Sequence, residues 1–326
     1  MNMIRRFNSS LIKTHYYPSN NKTFLRWLAE NPKRQQMHNN LDVKLFDVTL
    51  RDGLQGLTRS EIKKYDLKYK KELFYKVLHK NNPQYFEVGS LVNSKLYPVF
   101  ENTEIFYKDL VRNNPQLNNL YLLIPNKKYL YNAINMNVSN FSFITSASNS
   151  FQKKNMNMTV EESKLNIYEM LDDINYFCKY IENKIECKVY ISCINHCPIE
   201  GIIENDAIIQ EIMSYIKNRQ VTDITLSDTC GSLQSNEFNY LLNNILMITS
   251  TLEKISLHLH TTPDYNKNTE NIIHTALDYG ITRFDVSYLE SGGCSMTIDK
   301  SKIRSNLTYN QFYYYYCRYI DEKMMK

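Results

Sequence analysis

The sequence predicts a (β/α)₈ barrel of the TIM type, because eight short apolar runs alternate with stretches long enough for a helix. The runs are rich in Val, Ile, Phe and Tyr, as strands of a buried parallel sheet are. They are Val43–Val48, Tyr85–Val88, Leu120–Ile124, Phe141–Thr145, Lys188–Cys193, Asp223–Leu226, Ile255–His260 and Arg283–Ser287. A doubly wound open sheet is the alternative, and the count of eight favours the barrel. The chain carries neither a GxGxxG fingerprint nor a Walker A motif.

The clearest helical segment between two of these runs is Met158–Tyr180. Thr159 stands at its N-cap position, and Glu162 follows three residues later, as in a capping box. Apolar residues then recur at helical spacing, at Ile167, Met170, Leu171, Ile174 and Phe177. Further helices are predicted over Asn236–Ile248, Asn268–Tyr279 and, as a short closing helix, Tyr309–Ile320.

Composition narrows the class of protein. Hydrophobic residues make up 43% of the 326 residues and charged residues 22%, which is ordinary for a globular protein with a full core. The net charge of +5 is spread along the chain, so we expect no nucleic-acid partner. No apolar run approaches the ~20 residues of a membrane span, so we expect no membrane partner. The seven cysteines form no disulfide framework, which indicates a reducing compartment.

The N-terminal residues differ from the rest. We divide the chain into a basic N-terminal extension, residues 1–40, and a barrel domain, residues 41–326, with a shortened C-terminal end. The first 29 residues contain no acid and five bases, Arg5, Arg6, Lys13, Lys22 and Arg26. Such a segment is typical of a mitochondrial presequence and predicts the mitochondrial matrix. A disordered basic tail on a cytoplasmic protein is the alternative.

Barrel enzymes carry their chemistry at the carboxyl ends of the strands, and several polar residues fall there. His258 and His260 are two residues apart on one strand, so both imidazoles lie on the same face. Asp52, after the first strand, adds a hard oxygen donor. Mixed nitrogen and oxygen donors favour Mg²⁺ or Mn²⁺ over a structural zinc. The sequence therefore predicts a divalent metal cation at the mouth of the barrel.

Three other strand-end residues are candidates for proton transfer. Glu87 and Asp228 are carboxylates at the ends of two strands, and as a glycosidase-type pair they would leave the histidines without a task. Cys294 follows two glycines, which let a loop move and approach a ligand closely. A thiol on such a loop suits an acid–base group on a lid, and an ordinary loop cysteine is the alternative.

These motifs together resemble the hydroxymethylglutaryl-CoA lyase family, within the metal-dependent aldolase-like barrels that include isopropylmalate and homocitrate synthases. The resemblance runs from about Val43 to Phe312. The segments that carry it, in family order, are Asp47–Gln55, Ser146–Ser163, Tyr190–Gly201, Ser227–Gly231, His258–His260 and Gly292–Cys294. The second and third segments are similar to the lyase branch. The chain is therefore identified as a member of that branch, and a divergent one.

The resemblance implies a role for each matching residue. Asp52, His258 and His260 match the metal ligands, and Asn306 matches an asparagine ligand. Arg51 matches the arginine that stabilises an enolate. Glu87 and Asp228 match acidic residues that orient substrate or move protons, and Cys294 matches the cysteine of the catalytic loop. The implied reaction is a retro-Claisen cleavage of 3-hydroxy-3-methylglutaryl-CoA (HMG-CoA), or a similar 3-hydroxyacyl-CoA, to acetyl-CoA and acetoacetate, as in leucine catabolism and ketone-body formation.

Some positions depart from the family pattern. Thr261 follows the histidines where the family has an acid or amide, which predicts that the imidazoles lack a supporting partner. Ser295 replaces a proline, and Asn310 stands where an acid is expected. Two alternatives therefore stay open: a Claisen-type acyltransferase of the isopropylmalate or homocitrate synthase kind, and a catalytically decayed barrel with a binding role. We expect an acyl-CoA substrate as partner, and a homodimer is the hypothesis for assembly.

Overall fold

The computed structural model describes residues 17–57, 59–177, 185–293 and 304–325. Its parallel strands close into a barrel, because the last barrel strand pairs with both the first and the seventh. The barrel strands are β1 (Lys44–Asp47), β2 (Tyr85–Ser90), β3 (Leu120–Leu123), β4 (Asn140–Ser146), β5 (Glu186–Ser192), β6 (Val221–Asp228), β7 (Ile255–Thr261) and β8 (Arg283–Val286). Each overlaps its predicted run, and the predicted TIM barrel is confirmed.

Helices connect the strands, as a parallel sheet requires. Those described are Asn21–Ala29, Pro32–Leu41, Asp52–Gln55, Arg59–Ile62, Leu67–Asn81, Thr103–Asn113, Lys127–Asn135, Asn149–Met156, Val160–Phe177, Asn205–Ile216, Ser235–Ile248, Lys267–Asp278 and Tyr309–Met324, with a 3₁₀ turn at Pro98–Phe100. Two short additions lie near the carboxyl ends of strands: a hairpin of His196–Cys197 with Gly201–Ile202, and Ser305–Asn306 antiparallel to the end of β7. Among the described residues, no helix has the length and apolar character needed to cross a bilayer.

The predicted capping box begins the helix Val160–Phe177. The Glu162 N–H donates to Thr159 Oγ1 at 3.1 Å, and the Thr159 N–H donates to Glu162 Oε2 at 2.7 Å. The closing helix has a cap of the same kind at Thr308 and Gln311 and continues past the predicted end, Ile320, to Met324.

The second half of the predicted N-terminal extension packs against the closing helix. The Phe24 ring stacks on Tyr313 with centroids 5.0 Å apart, and Leu28 is fully buried. Arg34 Nε donates to Asp321 Oδ1 at 3.0 Å. The helices Asn21–Ala29 and Pro32–Leu41 are therefore part of the packed structure, and the first 16 residues of the extension lie outside the described ranges.

The two faces of the barrel sheet differ in chemistry. Large apolar side chains such as Phe74 and Phe141 fill the main core. A small separate cluster contains Phe46, Val48 and Tyr121. Alternation along β5 places Lys188, Tyr190 and Ser192 on one face, and all three are buried. Charged and hydroxyl side chains are therefore enclosed beneath the mouth of the barrel.

Candidate active site

The two predicted histidines face each other at the end of β7. His258 Nε2 and His260 Nε2 are 3.1 Å apart, and both rings are buried. The other ring nitrogens have fixed partners: His258 Nδ1 is 3.0 Å from Asp285 Oδ2, and His260 Nδ1 is 3.1 Å from the Thr229 carbonyl oxygen. A carboxylate and a carbonyl only accept hydrogen bonds, so each Nδ1 carries the proton. In the neutral rings, both Nε2 lone pairs then point at the same small space.

Asp52 adds a third donor to that space. Its Oδ2 is 3.3 Å from His260 Nε2 and 3.8 Å from His258 Nε2. Burial would raise the pKa of the Asp52 carboxyl, but Arg51 and the histidines outweigh it and hold that pKa well below its usual range. One atom from each of Asp52, His258 and His260 lies within 4.8 Å of the other two, an arrangement that could hold a metal ion.

The chemistry of this donor set fits a cation. Two imidazole lone pairs and a carboxylate oxygen repel one another unless positive charge lies among them. Without a metal, a proton on His260 supplies this positive charge. Burial disfavours the charged His260 ring, but the hydrogen bond and the negative charge of Asp52 outweigh burial and raise the pKa of His260. Asp285 and the Thr229 carbonyl hold the rings as partners of metal-binding histidines do.

Asn306 lies beside these donors. The short strand Ser305–Asn306 pairs it with His260 across the end of β7. Its Nδ2 donates to the Ser291 carbonyl at 3.1 Å, and its buried Oδ1 has no hydrogen-bond partner among the described residues. A Cβ on Gly292 would clash with both the Asn306 amide and Asp52 Oδ2, so both groups lie close to Gly292. With no partner among the described residues, the amide oxygen is able to accept a further ligand.

Arg51 lies between two carboxylates. Its Nη1 is 2.6 Å from Asp52 Oδ1, and its Nε is 2.5 Å from Glu87 Oε2. The guanidinium carbon lies 4.9 Å from the Tyr190 ring centroid, and the Tyr190 hydroxyl donates to Glu87 Oε2 at 3.0 Å. Burial disfavours the charge, but Glu87 and Asp52 outweigh it and raise the pKa of Arg51. Glu87 therefore fixes the orientation of the Arg51 guanidinium.

One cavity contains most of these groups. It is lined by Arg51, Asp52, Gln55, Ile144, Phe151, Asn155, Tyr190, Ser192, Ser227, Thr229, His258, His260 and Gly293. Asp228 instead lines an adjoining cavity, which shares His260 and also contains Arg304. The Asp228 oxygens accept the N–H groups of Ser232 at 3.0 Å and Leu233 at 3.1 Å. Asp228 thus lines the adjoining cavity and not the one that holds Arg51 and Asp52. Burial raises the pKa of Asp228.

The comparison with known protein families now decides the family. The HMGL-like family model matches residues 42–295, a range that contains β1 to β8 and the histidine pair. The chain belongs to the HMGL-like family. The resemblance found in the sequence motifs is thereby confirmed.

Individual relatives of this HMGL-like chain are lyases. It is 27% identical to the cytoplasmic 3-hydroxy-3-methylglutaryl-CoA lyase of Rattus norvegicus over 77% of the chain and 68% of that relative. It is also 27% identical to the mitochondrial hydroxymethylglutaryl-CoA lyase of Arabidopsis thaliana, covering 77% of the chain but only 50% of the relative. The chain thus spans between half and about two thirds of these proteins.

Solved structures share the fold. An HMG-CoA lyase from Acinetobacter baumannii, in complex with coenzyme A and 3-methylmalate, superposes with a TM-score of 0.69 at 23% identity, covering 86% of this chain and 84% of that one. The hydroxymethylglutaryl-CoA lyase of Pseudomonas aeruginosa gives 0.66 at 22% identity, covering 82% of each chain.

Two sequence predictions need separate comment in the HMGL-like chain. The prediction that the histidines lack a supporting partner was wrong: Asp285 and the Thr229 carbonyl supply it, while Thr261 Oγ1 lies 3.2 Å from Thr269 Oγ1. The available signal was Asp285, an acid between the apolar residues Phe284 and Val286 of β8. Cys294 lies outside the described residues, and its neighbour Gly293 donates its N–H to Asp52 Oδ2 at 3.0 Å.

Proposed function

We propose that this HMGL-like protein is a metal-dependent carbon–carbon lyase that cleaves HMG-CoA, or a similar 3-hydroxyacyl-CoA, to acetyl-CoA and acetoacetate. The observation that carries the proposal is the enclosed donor set of Asp52, His258 and His260 with Arg51 in the same cavity. The names of the lyase relatives supply the substrate. With that substrate, the reaction belongs to leucine catabolism and ketone-body formation.

The proposed metal site consists of Asp52, His258, His260 and the Asn306 amide oxygen, which has no partner among the described residues. Mg²⁺ or Mn²⁺ held by these residues would supply Lewis acidity, which makes the hydroxyl of the substrate easier to deprotonate. The protein's part is to present donor atoms that converge. Asp52 stays ionised because its pKa is lowered, and the Nδ1 partners of the two histidines leave both Nε2 atoms facing the site.

Arg51 is proposed to offset the charge that develops in the reaction. When the substrate's tertiary hydroxyl loses its proton, the neighbouring C–C bond breaks and its electron pair becomes the enolate of acetyl-CoA, leaving acetoacetate. A buried guanidinium fixed beforehand by Glu87 and Tyr190 needs little reorganisation to stabilise that enolate. We assign Glu87 to the orientation of Arg51.

The proton transfers are assigned to Asp228 and Cys294. Burial raises the pKa of Asp228, which makes it a stronger base than an ordinary carboxylate, and it lies just beyond His260. The assignment of Cys294 rests on the family resemblance and on its position after Gly293, whose N–H donates to Asp52 Oδ2. Its thiol is proposed to return a proton to the enolate carbon.

The test is an assay of acetoacetate release from HMG-CoA with Mg²⁺ or Mn²⁺. We expect turnover by the wild type, loss of turnover and of Mn²⁺ binding in D52A, and loss of turnover with retained Mn²⁺ in C294A. D172A is the matched control, since Asp172 is exposed on the helix Val160–Phe177. Mn²⁺ binding without cleavage would support the decayed barrel. Condensation of an acyl-CoA with a keto acid would support the acyltransferase.

We also propose the mitochondrial matrix as the compartment and a homodimer as the assembly. The acid-free first 29 residues support the compartment, and the lyase relatives include both mitochondrial and cytoplasmic forms. A fluorescent fusion of residues 1–36 should enter mitochondria, whereas diffuse cytosolic fluorescence would contradict this. Light scattering should give twice the chain's 38.7 kDa.

A further inference from the structure

A lysine is enclosed beneath the active site. Lys188, on β5, has no exposed surface. Its Nζ is 2.8 Å from Asp285 Oδ1 and 3.2 Å from Asp223 Oδ2, and lies 4.0 Å from the centroid of the Phe46 ring. It does not line the cavity that holds Arg51 and Asp52. Lys188 therefore has no direct contact with that cavity, and any effect on the site must pass through the residues that it contacts.

A buried ionic cluster of this kind is weak evidence for a purely stabilising role. Taking an ammonium and two carboxylates out of water carries a desolvation cost for each ion. Well-packed apolar residues of similar volume often serve stability equally well. Lys188, Asp223 and Asp285 also leave one net negative charge in the interior, on formal charges. A role beyond packing is therefore worth seeking in what the cluster contacts.

Asp285 connects the cluster to the proposed metal site. Its Oδ1 faces Lys188 Nζ, and its Oδ2 lies 3.0 Å from His258 Nδ1. Burial would raise the pKa of Asp285, but Lys188 and His258 outweigh it and keep that pKa below its usual value. With one oxygen held by the ammonium, the carboxylate cannot rotate away from His258. Its second oxygen then accepts only from an Nδ1–H tautomer.

We propose that Lys188 is a positioning residue that fixes the tautomer and orientation of His258 through Asp285. The ammonium holds the carboxylate, the carboxylate holds the Nδ1 proton, and the Nε2 lone pair is left pointing toward Asp52. The role of this arrangement in metal binding rests on the proposed metal-dependent function. The tautomer itself exists without metal and can be measured alone.

A charge-matched pair of variants tests the proposal. Wild type carries one ammonium and two carboxylates, and K188M/D223N carries only Asp285, so both have a net charge of −1 in the cluster. D223N alone keeps the contact between Lys188 and Asp285. Nitrogen-15 NMR of labelled histidines in the metal-free protein reports the tautomer.

We expect wild type and D223N to show the Nδ1–H tautomer of His258, and K188M/D223N to show a mixture containing the Nε2–H form. Mn²⁺ binding, followed by electron paramagnetic resonance, should weaken about 10-fold or more in K188M/D223N, as for other partners of metal-binding histidines. D223N should stay within about 3-fold of wild type. K70M is the control for loss of a buried lysine, since Lys70 Nζ donates to the Val99 carbonyl instead.

Three outcomes would overturn the proposal. A wild-type tautomer in K188M/D223N would show that Lys188 only supports packing. Equal effects in D223N and K188M/D223N would implicate the loss of Asp223, which both variants share, and not the contact between Lys188 and Asp285. If K188M/D223N does not fold, K188Q/D223N replaces it, because Gln keeps a shorter hydrogen-bond donor at this position. A wild-type His258 tautomer together with wild-type Mn²⁺ affinity in K188Q/D223N would contradict the need for the ammonium. A wild type that binds no Mn²⁺ would reject the proposed function, while NMR would still decide the role of Lys188.

Discussion

At the scale of single residues, the site depends on groups whose charge is set by burial and by close partners. Arg51 and Asp52 are adjacent in sequence and 2.6 Å apart in space, with Glu87 on the other side of the guanidinium. Each charge is costly to bury alone and is stabilised by its neighbours. Substitutions here therefore alter the electrostatics of the whole cavity.

Arg51→Lys should lower turnover strongly although the positive charge remains. An ammonium cannot contact Asp52 and Glu87 together while stacking on Tyr190, as the planar guanidinium does. We expect kcat for HMG-CoA to fall about 100- to 1000-fold, the scale of a lost preorganised donor. R112K is the control, because the Arg112 side chain is 80% exposed. Wild-type kcat in R51K would contradict the role given to Arg51.

Asp47 should make stability depend on pH. Burial raises the pKa of Asp47 from 3.8 to about 7, against hydrogen bonds from Thr49 and Tyr309. Between these values the folded state holds a proton that the unfolded state has released, so this group's contribution is full below about pH 4 and is lost as pH rises to about 7. The Tm of wild type relative to D47N should therefore increase from pH 7 to pH 4. A Tm difference between wild type and D47N that does not change with pH would contradict the raised pKa of Asp47.

At the scale of elements, the site is assembled where loops cross the ends of strands. The strand Ser305–Asn306 pairs with β7, and Gly292 packs closely against both Asn306 and Asp52. Gly292 has a φ of +142°, which favours glycine. A Cβ there would stand 2.9 Å from Asp52 Oδ2 and closer to the Asn306 amide.

Gly292→Ala should therefore damage the metal site. The added methyl must push Asp52 or Asn306 away from the converging donors, so we expect Mn²⁺ affinity to fall at least about 10-fold. Gly201→Ala is the matched control: its φ is +84°, but a Cβ there meets nothing within 4 Å. G201A should lower Tm and leave Mn²⁺ affinity unchanged. Equal Mn²⁺ affinity in G292A and wild type would be the contrary result.

At the scale of the whole molecule, the N-terminal helices hold the closing helix against the barrel. Phe24 and Leu28 enter the main core, and Arg34 pairs with Asp321 at the far end of the chain. The closing helix in turn presents Tyr309, whose hydroxyl donates to Asp47 Oδ2 at 2.9 Å. The N-terminal helices, the closing helix and the first barrel strand thus share one packed unit.

Leu28→Ala should destabilise the protein, whereas Leu25→Ala should not. Leu28 is fully buried and Leu25, on the same helix, is 51% exposed. A buried Leu→Ala substitution costs about 2–5 kcal/mol, and an exposed one stays within about 0.5 kcal/mol. Urea unfolding measures both free energies. Equal values would show that the helix Asn21–Ala29 contributes no core packing.

Much of this molecule follows from local patterns. Alternating apolar runs predicted the eight strands, and a spacing of two residues placed His258 and His260 on one face. The predicted capping box at Thr159 and Glu162 forms as expected. These features depend on residues close together in sequence, so periodicity and propensity are enough to find them.

Other features appear only when the barrel closes. Asp285 reaches His258 across 27 residues, Lys188 reaches Asp285 across 97, and Asp52 reaches His260 across 208. Asp228, the last residue of β6, lines an adjoining cavity that shares His260. By itself, the sequence determined the fold, the family and most candidate site residues. Only the tertiary structure decided which charges support them, because a buried charge finds its partner through strand register and barrel closure, which local sequence does not encode.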